Sequence, residues 1–181
     1  MSSNKIFIIT GEKGQGKTGL LIEVLEILKK QEIKLTGFYA KGFWENNKRS
    51  AFDLVNIKTG KSIPLCKSKE TKNWDKFFNY YFNPEALKAG NQILGNENII
   101  NSDLIVVDEI GKLDISGNIW HDTISKITSM KKHNLLIVVR KAFVEDVVNY
   151  WKMENVTIFE VGKDDARNIY EKILELIIPK I

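Results

Sequence analysis

An α/β fold, with a mostly parallel sheet flanked by helices, is what this 181-residue chain predicts, and three observations carry the prediction. Short apolar, β-branched runs alternate with amphipathic helical stretches, the pattern that right-handed crossovers turn into parallel strands. The first such run is followed by a glycine-rich loop and a helix. A later one ends in two acidic residues.

The elements follow from local pattern. Lys5 to Thr10, KIFIIT, is apolar and β-branched up to a glycine and reads as a buried strand. KTGLLIEVLEILKKQ then sets Leu20, Leu21, Val24, Leu25 and Leu28 at helical spacing, with lysines where the helix dipole favours cations. From about residue 34 to 67 the texture becomes aromatic and β-branched, broken at Asn46-Asn47 and Thr59-Gly60. Asparagine and glycine accept the left-handed turns of hairpins, so this stretch predicts an antiparallel hairpin or three-stranded meander inserted beside the parallel core. SKETKNWDKFFNYYF reads as irregular or helical. NPEALKAGNQIL opens a helix, with Asn83 as cap, Pro84 in the first turn and Glu85 at the positive end. SDLIVVDEIGK is a fully buried strand and NIWHDTISKITSMKK a helix. NLLIVVRKA follows as a strand, FVEDVVNYW as a short helix, NVTIFEVG as a strand and DDARNIYEKILELI as the closing helix. No repeat, low-complexity tract or linker interrupts them, so a single domain over residues 1–181 is expected.

Composition narrows the function classes. The apolar runs are far shorter than the roughly 20 residues of a membrane span, and no signal-peptide pattern opens the chain; a cytoplasmic protein with no membrane partner is expected. Cys66 is the only cysteine, so no internal disulfide can form. His121 and His133 lie outside the i, i+4 spacing for shared ligation and read as surface residues. Any metal must therefore take oxygen ligands. The net charge of +4 suits an anionic ligand such as a nucleotide phosphate; nucleic acid is possible but not indicated, and no protein partner is named by the sequence.

Gly11-Glu12-Lys13-Gly14-Gln15-Gly16-Lys17-Thr18 satisfies G-x-x-x-x-G-K-[ST], the phosphate-binding loop or Walker A pattern, and sits between the expected strand and helix. Backbone N–H groups wrap a triphosphate only where no Cβ intrudes, and the helix's free amides then meet the anion. Lys17 supplies charge to the β- and γ-phosphates, and the Thr18 hydroxyl is a Mg²⁺ ligand. Lys13 reads as an exposed loop residue with a secondary phosphate role at most. Gly19 closes the nucleotide-binding stretch, standing where many such loops carry a second hydroxyl for the α-phosphate, and the sequence offers no reason for a glycine there.

Asp108 and Glu109 follow four apolar residues at the carboxyl end of a strand, where open α/β sheets gather ligands. An aspartate there assists Mg²⁺, and the glutamate can orient or deprotonate an attacking nucleophile. Arg49, Arg140 and Arg167 are the only arginines among 27 basic residues, so each is a candidate for a planar contact to phosphate or carboxylate, Arg140 the weakest of them.

The chain resembles the small nucleoside-triphosphatases of the THEP type, P-loop NTPases that look related to nucleotide kinases. The resemblance runs almost end to end, through the loop, GFYA at Gly37 to Ala40, KRSAFDL at Lys48 to Leu54, VVDEIGKLD at Val106 to Asp114, and the late Arg167. It implies slow, Mg²⁺-assisted hydrolysis of ATP, GTP and other nucleoside triphosphates on a P-loop NTPase fold. By position it also implies roles for Arg49 and Lys112 at the active-site mouth and for Arg167 near the base or phosphates. The chain departs from the family at Gly42 and Trp44, usually Glu and Arg, at Ala51, usually Gly, and at Ala166, usually Asn. A kinase with Glu109 as base, and a nucleotide-dependent switch presenting Phe43 and Trp44, remain as alternatives.

Overall fold

The strands of the computed structural model, which describes residues 4–178, are β1 (Ile6–Gly11), β2 (Leu35–Glu45), β3 (Lys48–Asn56), β4 (Ser62–Lys67), β5 (Asp75–Phe77), β6 (Tyr80–Phe82), β7 (Leu104–Ile110), β8 (Leu135–Arg140) and β9 (Val156–Glu160). Between them run α1 (Lys17–Lys29), α2 (Pro84–Ile93), α3 (Asn96–Ile99), α4 (Lys112–Ile115), α5 (His121–Met130), α6 (Val144–Tyr150) and α7 (Ala166–Ile177). All the strands join one sheet in the order β5-β6-β4-β3-β2-β7-β8-β1-β9.

That sheet is mixed. β2, β7, β8, β1 and β9 pair in parallel, and β5, β6, β4 and β3 pair antiparallel out to β2. The expectation of a mostly parallel sheet thus describes the half that carries the glycine loop. The joint is β2: Leu35 to Phe38 pair with β7 in parallel, while Phe38 to Glu45 pair antiparallel with β3. Because β2 runs beyond the end of that pairing, the antiparallel wing projects past the carboxyl edge of the parallel half. Gly37 is required at the joint, since a Cβ there would stand 1.9 Å from the Val106 carbonyl oxygen.

The wing reaches Phe82 rather than stopping near residue 67. The stretch read as irregular or helical holds β5 and β6, a hairpin turning at Phe78-Asn79 and paired to β4 through Cys66 and Lys67. Each strand is three residues long, too short to show alternation; β5 pairs only with its neighbour β6, and β6 in turn is anchored on the earlier strand β4.

Alternation along β1 explains the two-sided core. Ile6 and Ile8 face a cluster covered by α2, α5 and α6, with Ala86, Ile124 and Val147 fully buried. Phe7 and Ile9 face the opposite cluster, where α1 packs Leu21, Val24 and Leu28 beside Ile169 and Ile173 of α7. Among the described residues no helix is long and apolar enough to cross a membrane.

Candidate active site

β1 brings the chain to the sheet edge at Gly11, and the loop returns it into α1. Gly14 and Gly16 take φ of 78° and 94°, backbone that a side chain would strain. Gly16 caps α1 with no side-chain bond, so the first-turn N–H groups are left for an outside acceptor. The loop is tied from within: the Gln15 carboxamide accepts the Glu12 N–H at 2.7 Å, and its NH₂ donates to the Val161 carbonyl at 3.4 Å. Lys17, 6% exposed, donates from Nζ to the Glu12 carbonyl at 2.8 Å. Burial is the main cause that lowers its pKa; Glu109 and Asp108 raise it, and Arg140 and Arg49 lower it further. Lys13 is exposed at the rim.

Gly19 has open space where a Cβ would stand. It therefore serves no close approach to another part of the chain, and Gly19→Ala is expected to stabilise the nucleotide-free protein by up to about 1 kcal/mol in urea unfolding. A loss of stability would show that the first turn demands glycine.

A regular strand would send Asp108 and Glu109 to opposite faces. Here Asp108 pairs with Val138 and Ile110 with Val139, so Glu109 is the extra residue of a bulge, and both carboxylates line one cavity. Asp108 is 2% exposed, accepts the Ala40 N–H at 3.2 Å and lines the same cavity as Thr18, whose side chain is close enough to act on its charge. Burial, and then the charge of Glu109, push its carboxyl up to about 7, with Thr18 and the Ala40 N–H pulling the other way. Glu109 is half-buried and accepts from Arg140 Nε at 3.0 Å.

Further along the same motif, Asp114 is a fastener. Its carboxylate accepts the N–H groups of Gly111 at 2.9 Å and Trp120 at 3.1 Å, and burial pushes it up to about 6. His121 is not a free surface residue: its ring nitrogen lies 2.8 Å from the Asp114 carbonyl. Among the described residues no group of three or more His, Cys, Asp or Glu could hold a metal, so a hard cation at Asp108 and Thr18 would take its remaining ligands from phosphate and water.

Arg49, Lys112 and Arg140 all line the cavity. Arg140, weighted least in the sequence, sits at the end of β8 between β1 and β7, and holds Glu109 in place. Arg49 lies against two rings, 5.3 Å from the centre of Trp44 and 5.4 Å from that of Phe52, and its buried Nε has no hydrogen-bond partner. Gly42 leaves room for it, with a Cβ there only 3.0 Å from the guanidinium. Arg167 lies outside the cavity, exposed on the first turn of α7 and paired with Glu171 at 2.9 Å.

The cavity encloses about 420 Å³. One wall is the loop with Asp108 and Glu109; the rest is largely aromatic and apolar, from Phe52, Leu65 and Cys66 through the β5–β6 hairpin to Trp120 and Phe143. Burial pushes the Cys66 thiol up to about 12, so it serves as an apolar wall. The hairpin's contribution is absent from the sequence reading. Its signal was there in WDKFFNYYF, where six of nine residues are aromatic, a composition that favours strands.

A family model described as NTPase matches residues 6–174. The chain belongs to this NTPase family. Within it, nucleoside-triphosphatase THEP1 of Sulfolobus acidocaldarius is 31% identical over 144 residues, covering 78% of this chain and 81% of its own. THEP1 of Natranaerobius thermophilus is 26% identical over 177 residues, covering 93% and 95%. The crystal structure of THEP1 from Aquifex aeolicus superposes with a TM-score of 0.71 at 23% identity over 96% of this chain and 99% of that one. The solution structure of a human cancer-related nucleoside triphosphatase gives 0.70 at 22% over 97% and 98%. These structures speak for the shared α/β fold. Membership of the NTPase family gives the reaction class, hydrolysis of nucleoside triphosphates.

Proposed function

We propose that this NTPase works with Mg²⁺ on ATP, GTP and other nucleoside triphosphates. Residues Gly11 to Thr18 cradle the phosphates, Thr18 and Asp108 hold the metal, and Glu109 positions the attacking water. The observation that carries the reading is the meeting of Thr18 with a buried Asp108 beside the uncapped start of α1. Ionised Asp108 is undercompensated, and a carboxylate beside a hydroxyl is the donor chemistry of a hard divalent cation. Bound there, Mg²⁺ would neutralise charge on the β- and γ-phosphates.

The chain's own groups do the rest. Lys17 exchanges the Glu12 carbonyl for phosphate oxygens, and the free N–H groups of α1 face the same anion. Glu109, fixed by Arg140, takes a proton from water as the oxygen attacks the γ-phosphorus and the bond to the nucleoside diphosphate breaks. Arg49 and Lys112 add positive charge to the cavity wall. Arg167 is not needed for this step.

The test is a hydrolysis panel over ATP, GTP, CTP and UTP with Mg²⁺ or EDTA. All four are expected to turn over with Mg²⁺, and the chelator is expected to lower every rate at least tenfold. Chelator-insensitive hydrolysis would sink the metal assignment.

A further inference from the structure

Strand order places the two carboxylates between two unlike surfaces. Moving outward from the loop on β1, the sheet passes β8 with Arg140, then β7 with Asp108 and Glu109, and only then β2, β3, β4 and β6. The last three of these, with β5, supply most of the aromatic and apolar chamber, and Trp120 and Phe143, from the segments after β7 and β8, complete it. Glu109 thus has the phosphate cradle on one side and a ring-lined space on the other. Water alone does not need such a space, and apolar walls hold it poorly.

We infer that the aromatic chamber is an acceptor site, and that it receives a small uncharged alcohol with an aromatic or branched apolar body, to which the γ-phosphoryl group is transferred. This rests on nucleoside triphosphate bound at the loop. Tyr80 commits its hydroxyl to the Arg49 carbonyl at 3.2 Å, and both oxygens of Asp114 are taken by backbone N–H groups. Of the cations, Arg140 is paired with Glu109, Lys112 lies above the Phe78 ring at 5.4 Å, and Arg49 lies against the Trp44 and Phe52 rings with its unpartnered Nε buried. A nucleotide acceptor would need several donors for its own phosphate, whereas an apolar body with one hydroxyl needs only the rings and Glu109. In the step, the acceptor oxygen bonds to the γ-phosphorus as the bond from that phosphorus to the bridging oxygen breaks. The diphosphate leaves with the electron pair, and the hydroxyl proton passes to Glu109 and on to solvent. A phosphate monoester and the nucleoside diphosphate are the products, and hydrolysis is the same attack made by water when the chamber holds no alcohol.

The experiment uses the full chain with Mg²⁺ and ATP, with 2-phenylethanol, indole-3-ethanol or glycerol as acceptor, read by phosphorus NMR. The expected result is a phosphomonoester from at least one aromatic alcohol, in at least tenfold excess over glycerol. Inorganic phosphate as the sole product with the aromatic alcohols, or equal ester from glycerol, overturns the inference while leaving hydrolysis intact. No ADP with or without alcohol would overturn both readings, and ADP only with alcohol would support this one alone. Leu65→Trp, which fills the chamber, is expected to shift the ester-to-phosphate ratio at least tenfold towards phosphate. Phe78 is 59% exposed with φ of 51°, a backbone that asparagine accepts, so Phe78→Asn keeps the fold. It is expected to raise the half-saturating alcohol concentration at least threefold, and an unchanged response in both variants overturns the placement.

Discussion

Glu109→Gln is expected to lower kcat for ATP hydrolysis by about 10²–10⁴-fold while changing Mg²⁺–ATP affinity less than about threefold, the range for loss of a positioned general base. The substitution keeps the shape of the side chain and one oxygen for Arg140, now 3.0 Å away. It removes the negative charge and with it the ability to take a proton. Stability is expected to move by less than about 1 kcal/mol, because the Arg140–Glu109 pair is partly exposed, 43% and 34%, and such pairs contribute little. Stopped-flow release of phosphate together with calorimetric binding separates the two effects. Hydrolysis at the parent rate would remove Glu109 from the mechanism. Arg140→Ala gives a companion result: if Arg140 only positions Glu109, its loss should cost much less in the Glu109→Gln background than alone.

The site's two halves differ in how far the sequence disclosed them, and the reason is physical. The loop and the strand ending at Asp108 and Glu109 are contiguous in sequence, and their chemistry depends on spacing within a few residues. Such patterns read directly. Arg140 became a site residue only because β8 inserts between β1 and β7, a matter of strand order that local periodicity does not encode. Phe77, Tyr80 and Phe82 needed a hairpin of two three-residue strands, of which β6 alone pairs with β4, again a long-range pairing. Glu109 shares a cavity with Asp108 through a bulge, which the apolar run before them does not announce. Arg167 shows the converse: its position in sequence matches the family, yet its side chain turns to Glu171 and solvent.

Asp108→Asn is expected to move stability and function in opposite directions. The carboxyl is raised to about 7 from an ordinary 3.8, chiefly by burial, so the folded chain holds this proton more tightly than the unfolded chain does. The sign follows: protonation stabilises the nucleotide-free protein at low pH, and that contribution is lost as pH rises through about 7. Asparagine mimics the neutral carboxyl, keeping an oxygen for the Ala40 N–H while carrying no charge. At pH 8 the variant is therefore expected to be more stable than the parent by roughly 4 kcal/mol, at about 1.4 kcal/mol per unit, and by roughly half that at pH 5. Mg²⁺–ATP affinity is expected to fall on the order of 10–100-fold, since a metal-side carboxylate has gone. Added Mg²⁺–ATP should raise the thermal midpoint of the parent and barely move that of the variant. A variant less stable than the parent at pH 8 without nucleotide would mean that Lys17 and Thr18 already compensate the charge. The undercompensated carboxylate, the ground for placing a cation there, would then be gone.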